Sequence, residues 1–191
     1  MNVPTIRRLG HDLRGSLANL RMGLQACREN PEMLGMLGDA LLQEVDLLDG
    51  RLIQLNWMAR CNAPVRDEVN VHLVVAGWAK EKGLEPSQLE PVRASVDPDL
   101  LKAALDQLYD NAVRHGGGYE GLQLRMMGRR LHLEVRDHGQ VWPDGIQDWL
   151  KDPQLWNGQI ALGLALVQKV AQAHDGELLL EPGSAALSIP V

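Results

Sequence analysis

The sequence predicts an α+β chain: a long N-terminal two-helix hairpin followed by an α/β sandwich. Two observations carry this. The first 60 residues repeat apolar side chains every three or four positions, as a helix does and a strand does not. Beyond Pro64 the pattern changes to short alternating segments interleaved with helical ones, the order expected of one helical layer on one mixed sheet.

Thr5 to Glu29 reads as one helix. Its apolar stripe is Leu9, Leu13, Leu17, Leu20, Leu24 and Cys27, which at about 100° per residue spans roughly 80°. His11 falls about 160° from the centre of that stripe and therefore points toward water. Gly10, Gly15 and Gly23 weaken the helix, each by about 1 kcal/mol relative to Ala, so packing has to hold it. Asn30-Pro31 breaks the chain and restarts it, with Asn30 as a cap and Pro31 in a first helical position. The second helix runs to about Arg60 on Leu34, Leu37, Leu41, Val45, Leu48, Leu52, Leu55 and Met58, a spacing close to a heptad seam. A lone antiparallel hairpin cannot bury both stripes, whereas two copies can, as a four-helix bundle. A homodimer through residues 1–62 is the expectation; a monomer whose second domain covers the stripe is the competing arrangement.

Cys61 to Asp67, with Pro64, reads as a linker, and the second domain as 66–191. Val71 to Lys82 is helical and Pro91 to Val96 a short strand. Asp97-Pro98 caps and opens a helix to about His115, ended by Gly116-Gly117-Gly118. Leu122 to Met127 and Leu131 to Val135 alternate around Gly128-Arg129-Arg130 as a hairpin. Gly139 to Gln159 is mostly irregular. Ile160 to His174 is a helix, Asp175-Gly176 turns it, and Glu177 to Leu180 and Ala186 to Ile189 are the last strands.

Composition narrows the function. Apolar residues make up 45% of the 191 and the net charge is −6, which argues against a nucleic-acid or anionic-membrane partner. No apolar run is long enough for a membrane-spanning segment. Cys27 and Cys61, in no metal-ligand spacing, read as free thiols of a reducing compartment, the cytoplasm.

Three groups of residues could carry chemistry. Gln107 and Asn111 share one helix face, continued by Arg114 and His115, opposite an apolar face of Leu101, Leu105, Leu108 and Ala112. Amides, a guanidinium and an imidazole suit a phosphate and its Mg²⁺, which Asn111 can ligate through its carbonyl oxygen. Taken alone, a solvated helix face explains them as well. Asp137, at a strand end before His138-Gly139, can accept a hydrogen bond from an exocyclic amine such as that of adenine, or make an ordinary turn. Leu162-Gly163-Leu164, after Gly158-Gln159-Ile160-Ala161, opens a helix whose backbone N–H groups could approach a polyphosphate, or merely packs.

In combination and in order, these segments are similar to the catalytic core of two-component sensor histidine kinases. His11-Asp12-Leu13-Arg14-Gly15-Ser16-Leu17 resembles the family's phospho-acceptor box. Leu108-Tyr109-Asp110-Asn111-Ala112-Val113-Arg114-His115 resembles its asparagine box, and Asp137-x-Gly139 the start of its adenine-contacting box. Leu162-Gly163-Leu164-Ala165-Leu166-Val167 with His174-Asp175-Gly176-Glu177 resembles its last glycine box, helix and turn.

The resemblance implies a dimerisation and histidine-phosphotransfer domain over 1–62 and a GHKL-type ATP-binding domain over 66–191. It implies ATP and Mg²⁺ as cofactors, Asn111 on the metal and Asp137 on the adenine. His11 would be the phosphorylated residue and Asp12 its general base, with the phosphoryl group passed to an aspartate of a response-regulator receiver domain. The chain departs from the family pattern at Gln107, Gly15 and Ser16, at Gln140-Val141, and at Gln159 and Ala161, where glycines are lost. Those losses motivate an alternative: a phosphotransfer or scaffold protein whose C-terminal domain is degenerate and binds no ATP.

Overall fold

A computed structural model describes residues 3–139, 141–151 and 162–191. They form two compact units, one reaching to Asn56 and the other comprising Trp57–Lys151 and Leu162–Val191. In the first unit α1 (Val3–Glu29) and the part of α2 (Leu34–Arg60) up to Asn56 flank a single 3₁₀ turn, Pro31–Met33. Asn30 caps that turn, its side chain accepting from the Glu32 N–H at 3.2 Å. The helices cross closely at Gly23, where a Cβ would stand 2.5 Å from a methyl of Leu41. Gly23 thus gains in packing what it gives up in helix propensity. Within the single chain the stripes are only partly covered. Leu48 is buried, but Leu17 and Leu24 are 57% and 59% exposed, and Leu34, Val45 and Leu52 are also open to solvent.

The second unit contains β1 (Asp67–Asn70), α3 (Val71–Glu81), β2 (Gln88–Leu89), β3 (Arg93–Val96) and α4 (Pro98–Arg114). They are followed by β4 (Tyr119–Met127), β5 (Arg130–Asp137), α5 (Ile146–Lys151), α6 (Leu162–Ala173), β6 (Glu177–Glu181) and β7 (Ser184–Pro190). Five strands make one mixed sheet in the order β2-β4-β5-β7-β6, with β2 parallel to β4 and the other pairs antiparallel. Leu124, Leu133 and Leu187 stand in one cross-strand row, and Leu131 pairs with Ile189. All five are fully buried or nearly so. These rows face the helical layer, in which α4 packs on α3, α6 and β5. The alternate residues carry polar pairs, among them Arg125–Glu134 at 2.9 Å.

The structure adds three elements to the expected set, β1, the two-residue β2 and α5. β1 pairs with β3 as a separate two-stranded sheet, Asp67 opposite Val96 and Asn70 opposite Arg93. Asp-Glu-Val-Asn has little strand propensity, so the pairing is imposed by tertiary context. The stretch expected to be irregular contains the short α5, whose Ile146, Trp149 and Leu150 are buried at helical spacing. Pro143 and Gly145 precede this helix rather than break it; Gly145 takes φ +79° and the Pro143 carbonyl accepts from the Ile146 N–H. Among the described residues no helix is long and apolar enough to cross a membrane.

Candidate functional site

In the first unit, His11 is held on an exposed face of α1, with 76% of its side chain open. Its Nδ1 lies 3.3 Å from Asp12 Oδ1. Adjacent residues on a helix diverge by about 100°, so the carboxylate has folded back along the helix to reach the ring. With Nδ1–H donated to Asp12, the lone pair is on Nε2, the nitrogen that faces away.

In the second unit, α4 runs from a strong cap to a triple-glycine end. Asp97 Oδ1 accepts from the N–H groups of Asp99 and Leu100, both at 3.1 Å, with Pro98 in the first turn. The helix is oriented by an aromatic chain. Trp78 meets Tyr109 edge-on at 6.0 Å between centroids, and Tyr109 meets Tyr119 at 5.5 Å. Trp78 Nε1 donates to Asp106 Oδ1 at 3.0 Å, and Lys82 pairs with the same oxygen. Burial, reinforced by Tyr109, pushes the Tyr119 hydroxyl above its ordinary pKa.

This packing leaves Gln107 and Asn111 half-buried near the C-terminal end of α4. The Asn111 side chain makes no hydrogen bond among the described residues. Its backbone carbonyl accepts from His115 and Gly116. Arg114 and His115 are exposed; Arg114 lies 4.0 Å from Asp110, a surface pair worth little.

The glycines bring the end of α4 against the end of β5. Asp137 is buried, and its Oδ1 accepts from the Gly139 N–H at 2.8 Å. A Cβ on Gly116 would lie 2.3 Å from Asp137 Cγ and 2.4 Å from Oδ2, so only a glycine lets the two approach this closely. Gly118, at φ +126°, accepts from the His138 N–H through its carbonyl. Tyr119 is the register partner of Asp137 across β4 and β5. Sequence reading takes Gly116–Gly118 only as a helix end. The signal that more was involved is that one glycine suffices for that purpose.

The expected glycine box is described only from Leu162. Gly158, Gln159, Ile160 and Ala161 lie outside the described residues, as does Gln140. Leu162, Gly163 and Leu164 form the first turn of α6, with Leu162 buried. The direction of α6 follows from its other end. His174 Nε2 accepts from the Asp97 N–H at 2.9 Å, so the C-terminus of α6 meets the N-cap of α4. The two packed helices are therefore antiparallel. With 12 residues against 17 and a rise of about 1.5 Å each, the first turn of α6 lies beside the half of α4 that carries Gln107 and Asn111. Trp142 Nε1 donates to the carbonyls of Glu181 and Ser184, at 2.8 and 3.1 Å, and fixes the segment after β5 on the β6–β7 turn.

The asparagine helix, the carboxylate at the next strand end and the antiparallel helix that starts beside them fall within one segment that matches a known ATPase family. Residues 96–187 match the family described as histidine kinase-, DNA gyrase B- and HSP90-like ATPase. This segment is an ATPase domain of that family, and the chain as a whole is similar to histidine kinase catalytic cores.

It is 26% identical to the alginate biosynthesis sensor protein KinB of Pseudomonas aeruginosa, over 95% of this chain and 35% of that protein. It is 27% identical to a probable sensor histidine kinase of Mycobacterium tuberculosis, over 88% of this chain and 48% of that protein. The chain thus spans half or less of the length of these relatives. Among solved structures it resembles the Acinetobacter baumannii histidine kinase AdeS, with TM-score 0.73, 21% identity, and 94% of this chain and 97% of that one covered. It also resembles histidine kinase ThkA in complex with response regulator TrrA, with TM-score 0.69, 15% identity, and 97% and 60% covered.

Proposed function

We propose that this kinase core phosphorylates its own His11 from Mg-ATP and passes the phosphoryl group to an aspartate of a response-regulator receiver domain. The observation that carries the reading is the imidazole of His11: exposed, engaged through Nδ1 by Asp12, and so left with Nε2 as the nucleophile. Nε2 attacks the γ-phosphorus in line. An N–P bond forms as the bond to the β,γ-bridging oxygen breaks, and ADP leaves with the electron pair. The ring keeps its Nδ1 proton, so Asp12, expected as a general base, would instead hold that proton in a hydrogen bond and offset the positive charge the ring acquires. A receiver carboxylate then takes the phosphoryl group, which restores neutral His11. The ThkA–TrrA complex supports a partner of this kind.

On this reading residues 1–62 are the phosphotransfer domain and 66–191 the ATP-binding domain. Asn111, half-buried and with an amide uncommitted among the described residues, would hold Mg²⁺, which when bound neutralises triphosphate charge. Gln107, Arg114 and His115 would line the phosphate side, and the first turn of α6, Leu162 to Leu164, would offer backbone N–H groups. Asp137 Oδ1 is occupied by Gly139, so Oδ2 would accept from the adenine amine, with Gly116 and Gly139 leaving the necessary room. Titration of the chain with Mg-ATP tests this set. We expect saturable binding, lost on the order of tenfold or more in Asn111→Ala and weakened in Gly116→Ala, whose new methyl would displace the Asp137 carboxylate. Wild type without ATP binding would instead favour the phosphotransfer or scaffold alternative.

The exposed Leu17, Leu24, Leu34, Val45 and Leu52 support a homodimer through residues 1–62, since a second copy can bury them. Sedimentation equilibrium should give twice the chain mass; a monomer at micromolar concentration would end that reading. The need for ATP and two unpaired cysteines fit the cytoplasm.

A further inference from the structure

One carboxylate outside the nucleotide site gathers several elements of the second unit. Asp97 is fully buried. Besides capping α4, its Oδ2 accepts from the Val65 N–H at 2.9 Å, and both its oxygens accept from Arg60 Nη2, at 3.2 and 3.3 Å. The same guanidinium nitrogen donates to Asp99 Oδ2 at 3.0 Å, and Arg60 also lies over the Trp57 ring. Arg60 is the last residue of α2, and Val65 lies in the segment that follows it. One residue further on, Arg66 pairs with Asp175 at 2.9 Å and donates to the Ala173 carbonyl, at the end of α6. The end of α2 and the segment after it are therefore tied to the N-cap of α4 and the C-terminus of α6.

We propose that Arg60 is a positioning residue for the phosphoryl transfer, a latch that fixes the last turn of α2 on the cap of the helix bearing Asn111. The proposal rests on the kinase reading. Its logic is that the latch is separable from the fold. Removing the Arg60 guanidinium leaves the Asp97 carboxylate with three backbone donors, from Val65, Asp99 and Leu100, so the cap survives. What is lost is the side-chain tie that runs from α2 to α4. In-line transfer is sensitive to small errors of placement, of the order of 1 Å. A loosened joint therefore lowers the rate of transfer without touching the nucleotide contacts.

The test uses the full chain with Arg60→Gln, Asp99→Asn and the double variant. Three quantities are measured: the rate of His11 phosphorylation at saturating Mg-ATP, the Kd of Mg-ATP, and hydrogen exchange at Cys61, Asn62 and Ala63. These amides donate to the carbonyls of Trp57, Ala59 and Arg60 at the end of α2. We expect phosphorylation about tenfold slower in R60Q, Kd within about twofold of wild type, and exchange at the three amides at least about fivefold faster. D99N should move both readouts the same way by less, and the double variant should be no worse than R60Q, because both changes remove one tie. If R60Q does not fold, D99N alone carries the test.

A rate unchanged or raised in R60Q overturns the proposal. So does a Kd that rises in step with the loss of rate, or additive effects in the double variant. If wild type takes up no phosphate, the kinase reading fails; unchanged exchange in R60Q would refute the latch itself.

Discussion

Replacing His11 by Gln is expected to abolish the transfer of labelled phosphate from ATP to the chain, by on the order of 10³-fold or more, because an amide nitrogen offers no lone pair for attack. The side chain is exposed and its one hydrogen-bond partner among the described residues is Asp12, so the substitution should leave thermal stability and Mg-ATP affinity within error of wild type. That separation makes the experiment decisive: a stable, ATP-binding variant without acid-labile phosphate assigns the nucleophile. Retention of label in H11Q would place the acceptor elsewhere and remove the main support for the proposed reaction. Asp12→Asn should slow the reaction by about 10²-fold, since the amide can still orient the ring but cannot offset the imidazolium charge.

The contrast between His11 and the candidate residues of the second unit shows what a sequence can carry. His11 and Asp12 are adjacent in the chain, and helical geometry alone puts the ring on the face opposite the leucines. Caps were legible for the same reason: Asn30-Pro31 and Asp97-Pro98 act within three residues of themselves. The β4–β5 hairpin was read from its alternation and its glycine turn, and its register then places Asp137 opposite Tyr119. What stayed hidden depends on distant partners. Nothing local marks Gly23 as the site of closest approach to Leu41, or Gly116 as making room for a carboxylate 21 positions later. The acidic β1 forms only because β3 is beside it. The ties of Asp97 to Arg60, Val65 and His174, across 37, 32 and 77 positions, leave no periodic trace at all. Asn111, Asp137 and Leu162 are proposed together because a family pattern, rather than any local spacing, groups them.

The largest effect on stability is expected from Asp97→Ala. The change removes a helix cap, worth about 1 kcal/mol and up to about 2. It also strips partners from the N–H groups of Val65, Asp99 and Leu100, where each donor that stays buried costs about 1–3 kcal/mol. Part of that cost is relieved as Val65 and Asp99, both exposed residues, reach water, so we expect a net loss of about 2–4 kcal/mol and a fall in Tm on the order of 10 °C. Asp97→Asn should cost less, because the amide oxygen still caps α4, while the acceptor for the Val65 N–H and the charge facing Arg60 are lost.

The pH dependence separates this site from its neighbour. Burial alone would raise the Asp97 pKa. The N–H groups of Leu100 and Val65, the Arg60 guanidinium and the Asp99 N–H more than offset it and hold the group below its ordinary value of 3.8. Its contribution is therefore present above that value and is lost as pH falls through the lower folded pKa. His174 is displaced in the same direction for another reason. Burial disfavours its charged form and Arg66 adds to that, against the Val170 carbonyl and the Asp97 and Asp175 charges. With Nδ1–H directed at the Val170 carbonyl and Nε2 accepting from the Asp97 N–H, the ring is neutral. Below its ordinary value of 6.5 the unfolded chain binds a proton that the folded ring refuses, so stability declines from there down to the folded pKa. A plot of Tm against pH for wild type should show two acid steps. In D97A the lower step should vanish and the upper one persist, because the donor to His174 is a backbone N–H that the substitution leaves in place. Loss of the upper step together with the lower would mean that the carboxylate, and not the peptide group, holds the histidine.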